Sequence, residues 1–231
     1  MGYLTQSTAA AVHLIIGADP ELLEIVRVSL VVCGSSTVIA SVLGIPMGLA
    51  IAFAEFPGKR LAITLLNTLM ALPTVVVGLL VYAFLSRRGL LGPLGLLYTK
   101  RAMVLGQIIL VIPLCATFAL AAVSRLDPRF RQTALTLGAG PVRAAAAVAW
   151  EARFALAAGV AATFGRVIAE VGVAMMLGGN VKGFTRTMTT AMALEYDKGQ
   201  FDLAVALGIV LMALSFGVNL VVHLFQGRMR T

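Results

Sequence analysis

Long apolar runs constrain this chain more than any other feature. A bilayer's hydrocarbon is crossed by roughly 20 mostly apolar residues in a helix. Five segments reach that length: residues 22–53, 61–85, 102–123, 154–177 and 201–225. Inside lipid the backbone must satisfy its own hydrogen bonds, and a helix does so within one segment. Of the 231 residues 60% are hydrophobic and 12% charged, against about 25% charged in a soluble domain. The expectation is an all-α integral membrane protein with five transmembrane helices. Nearly the whole length goes into helices and short loops, so no soluble catalytic domain fits.

The formal net charge is +8. In a soluble chain that balance suggests nucleic acid. Here it reads as loops facing anionic lipid and as topology signals. The few aromatic residues lie inside the apolar runs, which argues further against nucleic acid. Cys33 and Cys115 also lie in apolar runs and read as small buried hydrophobes, neither a disulfide nor a metal pair. His13 and His223 have no ligand-spaced neighbours, so no metal site is expected.

Residues 1–21 form a separate N-terminal segment. It lacks the basic start and small-residue cleavage site of a secretory signal, so the first long helix is expected to direct insertion and to stay. TAAAVHLIIGA is too short to span and fits the interface. Asp19-Pro20-Glu21 is a helix start: a cap, a proline at the first position and an acid near the positive dipole end. In the first span Gly34, Ser35, Ser36, Gly44 and Gly48 offer small faces for close packing, and Pro46 is expected to bend it. Asn67, Pro73 and Thr74 interrupt the second span, Gln107 and Pro113 the third, and Arg166 and Glu170 the fourth.

Between the third and fourth spans lies DPRFRQTALTLGAGPVRAAAAVAWEA, residues 127–152. It is polar, rich in arginine and too long for a tight turn. Asp127-Pro128 starts a helix; Phe130, Ala134 and Leu137 recur at i, i+4, i+7; Arg129, Arg131 and Gln132 lie away from that stripe. Gly138 and Gly140-Pro141 stop it, and a second helical piece, 142–152, leads into the next span. The result is a knob on the membrane surface that receives mechanical work. The alternative is an interfacial helix that only anchors a loop.

At these residues the chain resembles the membrane subunits of ABC importers. Their cytoplasmic loop reads EAA, three residues, Gly, nine residues, Ile-x-Leu-Pro. Aligned on Gly138, Gln132, Thr133 and Ala134 fall at EAA, while Val148, Trp150 and Glu151 fall at Ile, Leu and Pro. The leading Glu is therefore Gln here, and the final Pro is absent. NTLMALPTVVVGLLVY, TALTLGA and FGRVIAEVGVAMMLGGN look like the tungstate and molybdate permeases, most closely the tungstate type. That resemblance implies the type I ABC importer transmembrane-domain fold over residues 22–231, with 127–152 as the coupling loop. It implies two copies of the chain, two cytoplasmic ATPase subunits and an outer oxyanion-binding protein, in a bacterial or archaeal cell membrane. It also implies that ATP and magnesium sit on the ATPase partner, with no cofactor on this chain.

With the coupling loop in the cytoplasm, five spans leave the N-terminus outside and the C-terminus inside. The inside then holds Lys59, Arg60, Arg125, Arg129, Arg131, Arg143, Arg153, Arg228 and Arg230. The outside holds Arg87, Arg88, Lys100, Arg101, Lys182, Arg186 and Lys198. The balance favours positive-inside, and the first segment, empty of Lys and Arg, agrees.

Arg166 and Glu170, at i and i+4, are expected to share a helix face and pair. They read either as a structural pin or as part of a gated path, since ionisable groups in a span face the bundle interior or water. Asn67, Pro73 and Thr74 read as a kink with local hydrogen bonds or as a path lining. Residues 178–202 read as an outer polar loop with a threonine-rich helical piece, TRTMTTAMALEY: Lys182, Arg186, Thr185, Thr187, Thr189 and Thr190 would present donors to a binding protein or steer an anion, or the loop is simply solvated.

The favoured reading is a permease subunit of an ATP-driven importer moving tungstate or molybdate. The chain has no GxxxxGK[ST] loop, so ATP is not bound by that route. A stand-alone channel or ion-coupled carrier would want more buried acids or an internal repeat. An intramembrane enzyme would want a polar catalytic cluster, which the spans lack.

Overall fold

The computed structural model describes residues 2–127 and 129–227. Pro128 and the basic residues Arg228 and Arg230 lie outside the described residues. Within them the chain is helical: α1 (Gly2–Ile16), α2 (Pro20–Phe53), α3 (Lys59–Met70), α4 (Thr74–Leu85), α5 (Lys100–Ser124), α6 (Arg129–Thr136), α7 (Pro141–Glu151), α8 (Arg153–Ile168), α9 (Gly172–Gly178), α10 (Met188–Asp197) and α11 (Phe201–Gly227). A short 3-10 turn, Gly92–Leu94, lies between α4 and α5.

Among the described residues three helices are long and apolar enough to cross a membrane, or up to five if each bent pair, α3 with α4 (94°) and α7 with α8 (72°), is one span. The two expected spans that differ are the second and the fourth. The second is two helices of 12 residues, α3 and α4, each rising about 18 Å. Pro73 causes the break. It has no N–H to continue the ladder, and it disfavours helical geometry at the residue before it. Its own backbone is extended, and α4 begins at the next residue. The fourth span is α8, a gap at 169–171, and α9. Pro46 and Pro113, by contrast, sit inside helices that continue through them.

The chain divides into two compact units. The first comprises Met1–Ser36, Pro73–Gln107 and Phe164–Val218. At its N-terminal end Asp19 caps α2 as the sequence suggests, its Oδ1 accepting from the amides of Glu21 (2.9 Å) and Leu22 (3.0 Å). Val32, Met103, Val167, Val173, Leu177, Met188 and Leu207 are fully buried within the unit. Gly78 lies against Val173 and Met176, so α4 and α9 pack closely. Several buried polar groups find partners: Ser36 Oγ donates to Gln107 Oε1 (2.8 Å), and the amide of Met188 donates to Ser29 Oγ (2.8 Å).

The second unit comprises Thr37–Leu72, Ile108–Thr163 and Asn219–Thr231. Here α2 meets α5 through Gly44 and Gly48. A Cβ on Gly44 would lie 2.6 Å from Cys115 Cβ, and one on Gly48 would overlap the carbonyl oxygen of Ala116. Small residues four apart let two backbones approach, which is how membrane helices gain packing without a hydrophobic drive. Cys115, beside this contact, lies 3.5 Å from Thr163 Oγ1.

Many large apolar side chains point outward: Val38 and Val42 on α2, Leu79 and Leu80 on α4, Met212 and Phe216 on α11. An apolar surface this broad is a liability in water and is solvated in lipid.

The Gly48 contact makes a direct prediction. Gly48→Leu should lower stability by about 1–3 kcal/mol through overpacking, read as a lower melting midpoint in detergent. Gly34→Ala, where a Cβ meets nothing within 4 Å, should melt at or above the parent. Equal midpoints for the two variants would rule out the close approach.

Candidate coupling surface and membrane-embedded polar site

Residues 127–152 form the expected helix, stop and second helix. Asp127 Oδ1 accepts from the amide of Arg129 (2.9 Å), capping α6. Gly138, at φ 85°, closes it. The amide of Ala139 returns to Ala134 O and that of Gly138 to Leu135 O, both at 3.0 Å. This left-handed termination is one that glycine adopts without strain. α7 then runs to Glu151, and across Ala152 the chain bends by 72° into α8.

What α6 and α7 bury and expose is decisive. Ala122, Val123, Val148 and Ala152 form a buried cluster with Leu49, Phe53, Leu126 and Leu156 packed against it. Arg131 adds a brace, its guanidinium 5.3 Å from the Phe53 ring centroid. The outer side carries Phe130 (52% exposed), Leu137 (82%), Val142 (82%) and Trp150 (71%). Arg129, Gln132, Thr133 and Gly138 are exposed among them, and Ala134 is half-buried. The stripe of Phe130 and Leu137 thus faces away from the unit that holds it, on a support that is itself well packed.

The second site lies in the first unit, where α8 ends. Arg166 Nη1 donates to Glu170 Oε2 at 2.7 Å, so the expected pair forms. It does not share a helix face. Glu170 stands in the gap after α8, which returns to reach Arg166. The Glu170 side chain is 2% exposed and that of Arg166 44%. Glu170 Oε1 also accepts from the amide of Val173 (3.2 Å), in the first turn of α9. Thr189 Oγ1 donates to the Glu170 carbonyl (2.8 Å). The gap therefore has side-chain partners for groups the interrupted helix leaves free.

Thr74, half-buried at the start of α4, belongs to the same place. A Cβ on Gly172 would lie 2.8 Å from Thr74 Oγ1 and 3.3 Å from Glu170 Oε1. Pro73, Thr74, Arg166 and Glu170 all belong to the first unit, and Thr74 and Glu170 converge on Gly172. Asn67 belongs to the other unit, on α3, and is exposed. Gly172 was not singled out from sequence, and Thr189, read there as a donor to solvent or a binding protein, instead donates to the Glu170 carbonyl. A glycine two residues after a lone acid in an apolar run is the signal that marks a helix restart there.

Within residues 178–202 the expected threonine-rich helical piece forms as α10, residues 188–197, and Thr187 opens it with a capping box to Thr190; the threonine side chains differ from expectation. Thr185, Thr187, Thr189 and Thr190 are buried, so their hydroxyls bond inward and present no donors to solvent. Capping chemistry explains this: a threonine-rich stretch before a helix satisfies backbone donors first. Lys182 and Arg186 both reach Glu21, at 2.7 and 3.4 Å. Lys182 is mostly exposed, while the Arg186 side chain is only 11% exposed.

Most of the chain, residues 44–231, matches the family described as Binding-protein-dependent transport system inner membrane component. The chain is 38% identical over 226 residues to the Tungstate uptake system permease protein TupB of Peptoclostridium acidaminophilum, covering 98% of this chain and 99% of that one. It is 39% identical over 212 residues to a Probable anion ABC transporter permease protein of Haloferax volcanii, covering 90% and 91%. Among solved structures, a bacterial ABC transporter involved in import of the acidic polysaccharide alginate superposes with a TM-score of 0.77 at 15% identity, covering 99% of this chain and 91% of that one. That likeness shows the fold, which is the one used by type I ABC importer permeases. The apolar spans, the braced knob and the interrupted fourth helix are therefore parts of one known architecture: the chain belongs to the binding-protein-dependent transport system inner membrane components, the permease subunits of ABC importers.

Proposed function

We propose that this permease carries a tetrahedral oxyanion, tungstate or molybdate, from an extracytoplasmic binding protein to the cytoplasm. Two copies of the chain form the path, and two cytoplasmic ATPase subunits dock on residues 127–152. ATP and magnesium belong to those subunits, and this chain carries no cofactor. The N-terminus then lies outside and the C-terminus in the cytoplasm. Relatives named for tungstate and anion transport at 38% and 39% identity support the substrate class.

The observation that carries the reading is the outward apolar face of α6 and α7. Phe130, Leu137, Val142 and Trp150 are exposed on helices braced from beneath. A rigid patch with exposed apolar residues and arginines at its edge suits a partner that must transmit force, because a loose support would absorb the displacement instead. Arg129, Arg131, Gln132, Thr133, Ala134, Leu137 and Gly138 make up the coupling element. A stand-alone channel would have no use for such a surface.

The path and its gate are assigned to Asn67, Pro73, Thr74, Arg166 and Glu170. Arg166 is already held by a carboxylate and partly exposed. It therefore offers an anion a passing attraction, not a tight site, and tight binding within a path would slow release. On the outer side Lys182 and Arg186 are assigned to meet the binding protein, with Lys182 the exposed member.

Three outcomes check this reading. Leu137→Asp should lower ATP-driven tungstate uptake by at least about tenfold in vesicles carrying all components, with the chain still inserted, because a charge replaces an apolar anchor in a desolvated contact. Retention of full uptake would refute docking through this face. Glu170→Ala removes a cap for α9 and the partner of Arg166. It should cost about 1–2 kcal/mol in detergent melting, the pair being discounted for the exposure of Arg166. Glu170→Gln, which keeps an acceptor for Val173, should melt closer to the parent.

A further inference from the structure

Helix α3 has three faces, and one of them is out of place for a helix in lipid. Its buried seam is Leu66, flanked by half-buried Ala62 and Ile63. A second face carries Leu61, Leu65 and Leu69, exposed by 63%, 54% and 42% and spaced every fourth residue. The third carries Arg60, Thr64, Asn67 and Thr68, all exposed. At 100° per residue these four fall within about 100° of arc, a continuous polar stripe.

The leucine face is at home in hydrocarbon. The polar stripe is not: the exposed Asn67 amide in mid-helix must face water or protein, because lipid offers no hydrogen bonds, and Arg60 stands on the same side at the helix start, where an arginine reaches the interface. The two threonines have already spent their donors. Thr64 Oγ1 donates to Arg60 O and Thr68 Oγ1 to Thr64 O, each at 2.9 Å. What the stripe presents outward is thus the Asn67 amide and one cation. The neighbouring Lys59 is occupied with Glu55 (3.1 Å), itself exposed, and with the carbonyl of Ala52 (3.0 Å), so Arg60 is the exposed cation at that end.

We infer that the Arg60–Thr64–Asn67–Thr68 stripe is a water-exposed wall of the conduit, and that Arg60 makes it selective for anions. The inference rests on the permease reading and adds Arg60, Thr64 and Thr68 to it as specificity-determining residues. The design suits passage: hydroxyls bound to their own helix hold an oxyanion weakly, and a single guanidinium at one end raises the local anion concentration without enclosing the ion.

The test is thiol labelling in the assembled transporter. Single cysteines replace Thr64, Asn67 and Thr68, or Leu61, Leu65 and Leu69 as the lipid-face set. Cys33 and Cys115 are buried, so the parent sets the background. Anionic and cationic methanethiosulfonates of similar size are the probes. The polar-face cysteines should react with the anionic reagent at least about tenfold faster than the leucine-face cysteines. Adding Arg60→Gln should cut the anionic-to-cationic rate ratio at position 64 by about fivefold, the scale of one nearby charge in partly screened water. Arg60→Lys should restore it. Polar-face cysteines as unreactive as the leucine-face set would overturn the inference, because the stripe would then be sealed against protein. So would a charge ratio indifferent to Arg60. Labelling is read without turnover, so either failure with ATP-driven uptake intact sinks this wall and spares the permease reading.

Discussion

A helix that stops inside an apolar bundle has to find new partners for the peptide groups it frees, and much of this fold follows from where it does so. Two spans stop. At Pro73 the covalent geometry of the residue forces the stop. At 169–171 no residue forbids a helix, and the stop is held instead by side chains: Glu170 accepts from Val173, and Thr189 donates to the Glu170 carbonyl. An unpartnered buried amide or carbonyl costs about 1–3 kcal/mol. The hydrogen bonds of this gap therefore decide whether the interruption exists at all.

The same economy links the gap to its surroundings. Thr189 lies in the first turn of α10, so the helix that covers the gap also supplies its donor. Gly172 admits Thr74 and Glu170 side by side because it has no side chain to separate them. The arginine paired with Glu170 is partly exposed while the acid is buried. The pair thus joins a closed interior to an open surface. α4 and α9 are the two elements that meet there.

The surface of α6 and α7 obeys a different rule. Short helices outside the bundle have little burial to stabilise them, so α6 depends on its Asp127 cap, its Gly138 termination and the cation resting on Phe53. α7 depends on Val148 and Ala152 entering the cluster beneath. Leu137 and Val142 expose apolar area that gains nothing within this chain, which is the expected state of a surface completed by another protein.

The sequence by itself determined the membrane setting, the positions of the apolar runs, the helix–stop–helix form of residues 127–152, the close packing through Gly44 and Gly48, and the pairing of Arg166 with Glu170. Each is a local property: the length of an apolar run, a cap, a glycine, a spacing of four. Tertiary structure alone decided that Glu170 leaves the helix it was expected to share, that the threonines near α10 turn inward, and that Arg186 is spent on Glu21. In each case the outcome depends on which distant group offers a partner. A threonine at a helix start bonds inward or outward according to what packs over it, and no pattern along one strand of sequence records that choice.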